Sequence, residues 1–270
     1  MVVVGLDLTR DDFGRVARHP GLVAGSIAGQ WLLLPVIAWT LVALLPLPIE
    51  IATGVILLAA CPAGAISNYY ALIARADVAL SMTLTSISIA VAMLKMPLIT
   101  TICFRFILND AAHVTVPVAP MILQLFVFLL LPTMLGMWLR SRWPESAARH
   151  MTRARRVGDA AIVATVLAVM VGLRSFVLEH LGWAVSVSVV WVLLAAGIGF
   201  AVAAMMRTDR GQRYTVAIEY SCRNNAIMAL IGLVVLDRPE LAAFALIVFL
   251  VQVPIVLGGI FLTRSQPAES

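Results

Sequence analysis

Charge is what this sequence has least of. Asp, Glu, Lys and Arg make up 12% of its 270 residues against 62% hydrophobic residues, and the mean hydropathy is +1.01. That scarcity excludes a soluble globular domain of this length, in which about a quarter of residues are charged. Lysine is all but missing, with Lys95 alone. The three cysteines, Cys61, Cys103 and Cys222, form no C-x-x-C pair and sit in apolar runs, so neither a disulfide framework nor a zinc site is indicated. No Ser/His/Asp set, HExxH or other catalytic motif is visible, and the chain reads as a non-enzyme. The first twenty residues, MVVVGLDLTRDDFGRVARHP, lack an apolar core long enough for a cleavable signal peptide.

What is there is apolar sequence in lengths that match a bilayer. A spanning helix needs about 20 mostly apolar residues, and eight such runs can be drawn: 22–44, 50–74, 79–106, 117–139, 159–178, 183–206, 214–236 and 240–263. The fold class expected is therefore an all-α polytopic membrane protein, one transmembrane domain in which residues 1–139 form a first half, 159–270 a second, and 140–158 a charged connecting loop. Arginine sets the orientation, because short basic loops stay cytoplasmic. Arg10, Arg15, Arg18, Arg75, Arg140, Arg142, Arg149, Arg153, Arg155, Arg156, Arg207, Arg210, Arg213 and Arg264 all fall on one side of the eight-span arrangement. The opposite loops, LPLPI, NDAAHV, VLEHLGW and LDRPE, hold Arg238 alone. Both termini are expected in the cytoplasm of a cell-membrane protein. The net charge of +5 is then a topology signal near anionic headgroups. Nucleic acid is not an expected partner, and the bilayer is.

Two runs are interrupted by polarity. In the second, ACPAGAISN places Pro62, which lacks a backbone donor, beside Gly64, and a helix break is expected near 61–66; an ordinary proline kink is the plainer alternative. In the seventh, EYSCRNN puts Glu219 and Arg223 four residues apart without Pro or Gly, so a break there has weaker support. Interrupted helices in matching positions of two halves point to a transporter's binding site. Glu219 and Arg223 have the spacing and order of a helical ion pair; a static salt bridge and a functional pair both remain open. Ser67 and Asn68 follow the first break, Ser81 and Thr85 lie one turn apart on the next span, and Gln30 adds an amide in the first. Such oxygens together with Glu219 suit a hard cation, while singly each is ordinary interhelical glue. Lys95 is assigned a structural or snorkelling role, and Arg105 and Arg174 reach for the headgroups.

The pieces GLDLTRDDF at 5–13, CPAGAISN at 61–68 with ARADVALSMTLTSIS at 74–88, and IEYSCRNN at 218–225 resemble the bile acid:sodium symporter family, and the likeness runs in order and spacing over essentially the whole chain. The resemblance implies a ten-helix inverted-repeat fold with a panel and a core whose two broken helices cross. By motif the chain begins at the end of the family's second helix, and MVVVGLDL reads as the last turns of a span. The resemblance further implies a first sodium site at Ser67, Asn68, Ser81, Thr85 and Glu219. A second would use Gln30, Glu219, the carbonyls of Tyr220 and Cys222, and the side chain at 223. Ala65, Ile66 and Asn224 match the substrate-facing crossover, although the family often has Thr where Ala65 stands. The sodium transporters carry Gln where this chain has Arg223, whose fixed positive charge and lack of an acceptor suit it to replace the second cation or to anchor an anion. The function expected is sodium-coupled symport of a small or amphipathic organic anion with reduced sodium stoichiometry, sodium serving as coupling ion without any other cofactor or obligate protein partner. A sodium-independent or proton-coupled carrier is the alternative within transport, and a non-transporting, truncated membrane protein the alternative from another class.

Overall fold

The computed structural model describes residues 5–6, 20–107, 116–143, 145, 150, 156–157, 164, 168–169 and 171–264. Among the described residues the regular structure is helical, and the pairing of β type is a single isolated bridge. In chain order the helices are α1 (Pro20–Leu44), α2 (Ile49–Ala60), α3 (Ile66–Ile73), α4 (Val78–Ile107), α5 (Val118–Arg142), α6 (Arg174–Met205), α7 (Arg210–Ser221), α8 (Asn225–Val235) and α9 (Pro239–Arg264). Both α5, at Phe126–Leu130, and α8, at Ile231–Val235, contain a π-helical turn. Five of these, α1, α4, α5, α6 and α9, are long and apolar enough to cross a membrane, while α2 and α8 are shorter apolar helices. Their outer surfaces carry bare Leu32, Trp39, Leu94, Phe106, Leu193 and Phe261, a composition suited to lipid.

Interior prolines do not break the long helices: Pro35, Pro97 and Pro254 lie inside α1, α4 and α9, because a spanning helix is held in register by its neighbours and the single lost bond is accommodated locally. Pro62 does end a helix. It offers no N–H to the Leu58 carbonyl, and the next two donors turn away, Ala63 N–H to Ser88 Oγ at 2.9 Å and Gly64 N–H to the Cys222 carbonyl at 2.9 Å. The run 50–74 is thus two helices separated at 61–65, where the Pro-Gly pair predicts a break. The run 214–236 is interrupted as well. Cys222 is extended (φ −97°, ψ 93°), and Asn224 restarts the chain as an N-cap, its Oδ1 accepting from Ile227 N–H at 3.1 Å.

One expected connection is overturned. VLEHLGW at 177–183 lies inside α6, which runs unbroken from Arg174. The segment has no proline, and in apolar surroundings a continued helix satisfies backbone groups that a loop would leave bare. Most of the run 159–178 and of the connecting loop 140–158 falls outside the described residues, although the loop's first residues, Arg140 to Arg142, belong to α5. Arg105 stands exposed near the end of α4, and Arg174, also exposed, opens α6 where the run 159–178 was expected to close. Of the GLDL piece, Gly5 and Leu6 are described; they lie against α5, where the Arg140 guanidinium donates to the Leu6 carbonyl.

Tight helix contacts hold α7 in place. Gly199 brings α6 so close to α7 that a methyl group there would sit 2.7 Å from the Val216 carbonyl oxygen, the small-residue packing that drives association where lipid removes the hydrophobic difference. On the other side α1 packs on α7 through Tyr220, whose hydroxyl donates to the Ser26 carbonyl at 2.7 Å.

Candidate functional site: a crossing of two broken helices

The two breaks meet. Ala63 and Arg223 form an antiparallel bridge, with Gly64 N–H donating to Cys222 O and Asn224 N–H to Pro62 O, each at 2.9 Å. The C-terminal ends of α2 and α7 and the N-terminal ends of α3 and α8 therefore converge in one place. Carbonyl ends carry partial negative charge and amide ends partial positive charge, so cations and anions both find a complement within a few ångströms.

Beside this crossing an oxygen cluster surrounds Glu219, which is fully buried in the last turn of α7. Ser67, from the first turn of α3, donates to Glu219 Oε1. Ser81 Oγ, from α4, donates to the same oxygen at 2.6 Å, and Thr85 Oγ1 lies 3.1 Å from each carboxylate oxygen. Asn68 Oδ1 completes the ring, 2.9 Å from Ser81 Oγ and 3.4 Å from Thr85 Oγ1, and the Ser67 and Thr85 hydroxyls are 3.2 Å apart. All five residues of the expected first cation site are thus brought together from α3, α4 and α7. Each hydroxyl has one hydrogen, yet Ser67, Ser81 and Thr85 face more close oxygens than they have hydrogens to share. The cluster is oxygen-rich and short of positive charge. Among the described residues no group of His, Cys, Asp and Glu suits a transition metal; the donors here are hydroxyl, amide and carboxylate oxygens, which suit a hard cation or a proton.

The residues expected at a second cation site bond to partners within the protein. Arg223, 1% exposed, sends Nη1 to Gln30 Oε1 and to the Glu219 carbonyl, both at 3.2 Å, and Nη2 to the Cys61 carbonyl. The Cys222 carbonyl is taken by Gly64 N–H, and Tyr220 contributes its side chain, bonded to α1. The helical ion pair between Glu219 and Arg223 is not formed. Because α7 stops at Ser221, Arg223 leaves the helical register and its guanidinium reaches carbonyl and amide oxygens, while the carboxylate is engaged by hydroxyls. Ala65 and Ile66 lie half-buried at the entry to α3, and Asn224 is buried with its carbonyl oxygen engaged as the α8 cap.

Sequence reasoning missed Ser88 and assigned Lys95 either a structural or a snorkelling role. Ser88 receives the diverted Ala63 N–H. Lys95 does not snorkel: it is 1% exposed and donates from Nζ to the Ala59 carbonyl at 3.2 Å. The signal available was periodicity, since 81, 85, 88 and 95 fall on one face of a helix.

Apolar helices, two of them broken and crossing at buried polar groups, define a polytopic membrane protein of the kind that includes secondary transporters. The profile described as Sodium Bile acid symporter family matches residues 1–180, and the chain belongs to that family. Among curated relatives, the "Uncharacterized sodium-dependent transporter YocS" of Bacillus subtilis (strain 168) is 29% identical over 85% of this chain and 70% of its own length. The "Probable sodium/metabolite cotransporter BASS2, chloroplastic" of Oryza sativa subsp. japonica is 29% identical over 84% of this chain. The "Ileal sodium/bile acid cotransporter" of Cricetulus griseus is 25% identical over 81% of it. The chain spans 53% of the rice protein and 62% of the hamster protein.

Proposed function

We propose that this protein is a secondary active carrier of a small or amphipathic organic anion, driven by a cation held at Ser67, Asn68, Ser81, Thr85 and Glu219, with sodium as the coupling ion. The shortage of positive charge in that oxygen cluster carries the reading: a sodium ion shared by the five residues meets oxygens that the three hydroxyl hydrogens cannot all serve. The sodium-dependent relatives agree with it. Arg223 stands in for a second cation, since its nitrogens already engage Gln30 and the Glu219 carbonyl, and coupling is accordingly reduced. An anion's carboxylate is received at the amide ends of α3 and α8 near Ala65, Ile66 and Asn224. The matching breaks in α2/α3 and α7/α8 support an inverted repeat within a ten-helix plan of which this chain supplies about eight spans, with both termini cytoplasmic in a cell membrane.

A proton on Glu219 meets the same shortage and is the second reading. Uptake of labelled organic anions into proteoliposomes separates them. Dependence on external sodium, lost in Glu219→Gln, supports the first; equal uptake in sodium and choline that follows an imposed pH gradient supports the second. Full uptake by Glu219→Gln would reject the site itself.

A further inference from the structure

The break after α2 leaves a row of carbonyls without their helical donors. Pro62 has no N–H for Leu58 O, the Ala63 N–H goes to Ser88 and the Gly64 N–H to Cys222 O, so Leu58, Ala59 and Ala60 all lose the partner four residues on. These carbonyls form the negative end of α2, buried inside the protein, where unmet polar groups are costly and an alkali cation is a natural ligand. Two side chains reach this end. Arg223 takes the Cys61 carbonyl, and Lys95 takes Ala59 O. Lys95 is the sole lysine of the chain and among its largest fully buried side chains, and burying an amine is justified only by a partner of opposite polarity. It also closes a stripe along α4: Ser81 and Thr85 meet Glu219, Ser88 meets Ala63 N–H, and Lys95 meets Ala59 O. One face of one helix thus serves the oxygen cluster, the break and the helix end behind it.

We propose that Lys95 is a positioning residue of the crossing, a built-in donor that holds the carbonyl end of α2 where an external cation would otherwise bind. The inference rests on the cation-coupled reading above and deepens it, because it sets how many external cations the assembled crossing requires. Thermal unfolding of the full chain in detergent, in sodium chloride and in choline chloride, tests it. Lys95→Arg keeps a donor and shows the sodium-dependent rise in Tm of the parent. Lys95→Met keeps the length but not the donor; it melts lower in choline and regains part of the loss in sodium, so that its sodium-dependent rise is roughly doubled. Equal destabilisation in both salts means that Lys95 only fills space, and overturns the proposal. If the Met variant is too weak to purify in choline, recovery in sodium alone supports the proposal and loss in both salts overturns it. The double variant Glu219→Gln, Lys95→Met keeps the two readings apart. Failure of the Glu219 site removes the parent's sodium response but leaves the increment created by Lys95→Met, whereas failure of the Lys95 proposal does the reverse.

Discussion

Gly64→Ala is the sharpest probe of the crossing, because the added methyl meets backbone rather than a movable side chain. At Gly64 it would lie 2.8 Å from the Arg223 carbonyl oxygen and 3.1 Å from its carbon, with Asn224 N at 3.4 Å. Real carbon atoms do not approach backbone so closely, so the two strands of the bridge must part by several tenths of an ångström. The bonds from Gly64 N–H to Cys222 O and from Asn224 N–H to Pro62 O then lengthen together. Each is worth about 0.5–1.5 kcal/mol net, and overpacking a close-fitted interior adds roughly 1–3 kcal/mol. The expected loss is therefore about 2–6 kcal/mol, and at about 2–4 °C per kcal/mol for a chain of this size the Tm falls by at least about 4 °C. Uptake falls with it, since Arg223 and Glu219 are aligned through the same bridge. Thermal unfolding in detergent and proteoliposome uptake measure both. A variant with parental Tm and parental uptake would refute the reasoning, for it would mean that the broken helices do not touch at this point.

Arg223→Gln replaces the guanidinium by an amide that can accept, and the sodium dependence of uptake should steepen, its Hill coefficient rising toward about 2 as a second ion site opens; an unchanged sodium curve counts against Arg223 as a resident cation. Ser88→Ala strands the buried Ala63 N–H, and chemical or thermal denaturation should register a loss of about 1–3 kcal/mol. Arg207, exposed after the end of α6, has φ 56°, a left-handed conformation that costs a non-glycine residue roughly 1–2 kcal/mol. Arg207→Gly should therefore raise Tm by a few degrees without altering uptake, and a fall in Tm would show that the arginine side chain contributes more than its backbone costs.

The order of the apolar runs, the break at Pro62 and the residues of the oxygen cluster were legible because each depends on local chemistry. Hydrophobic length, a missing N–H and a hydroxyl repeated at helical spacing all leave a trace in the chain. The second break was faint because its cause is an asparagine cap and a bridge to a segment far away in sequence, neither of which demands proline or glycine. Glu219 and Arg223 read as an ion pair only on the assumption that the helix continues through Cys222; once α7 ends, the spacing no longer implies a contact. The continuous α6 was misread at 177–183 because polar residues near a membrane surface resemble a loop until neighbouring helices stabilise the extra turns.

The sequence by itself determined that this protein lives in a bilayer as a bundle of helices and that polar groups are set into two of them, since burying so little charge among so much apolar surface leaves no other solvent. Only the tertiary structure decided which groups face one another. It turned Arg223 from Glu219's carboxylate toward the carbonyl end of α2, drew three hydroxyls onto one carboxylate, and pointed Lys95 inward. Those outcomes follow from the pull of buried backbone donors and acceptors toward partners, which at the crossing come from segments far apart in sequence.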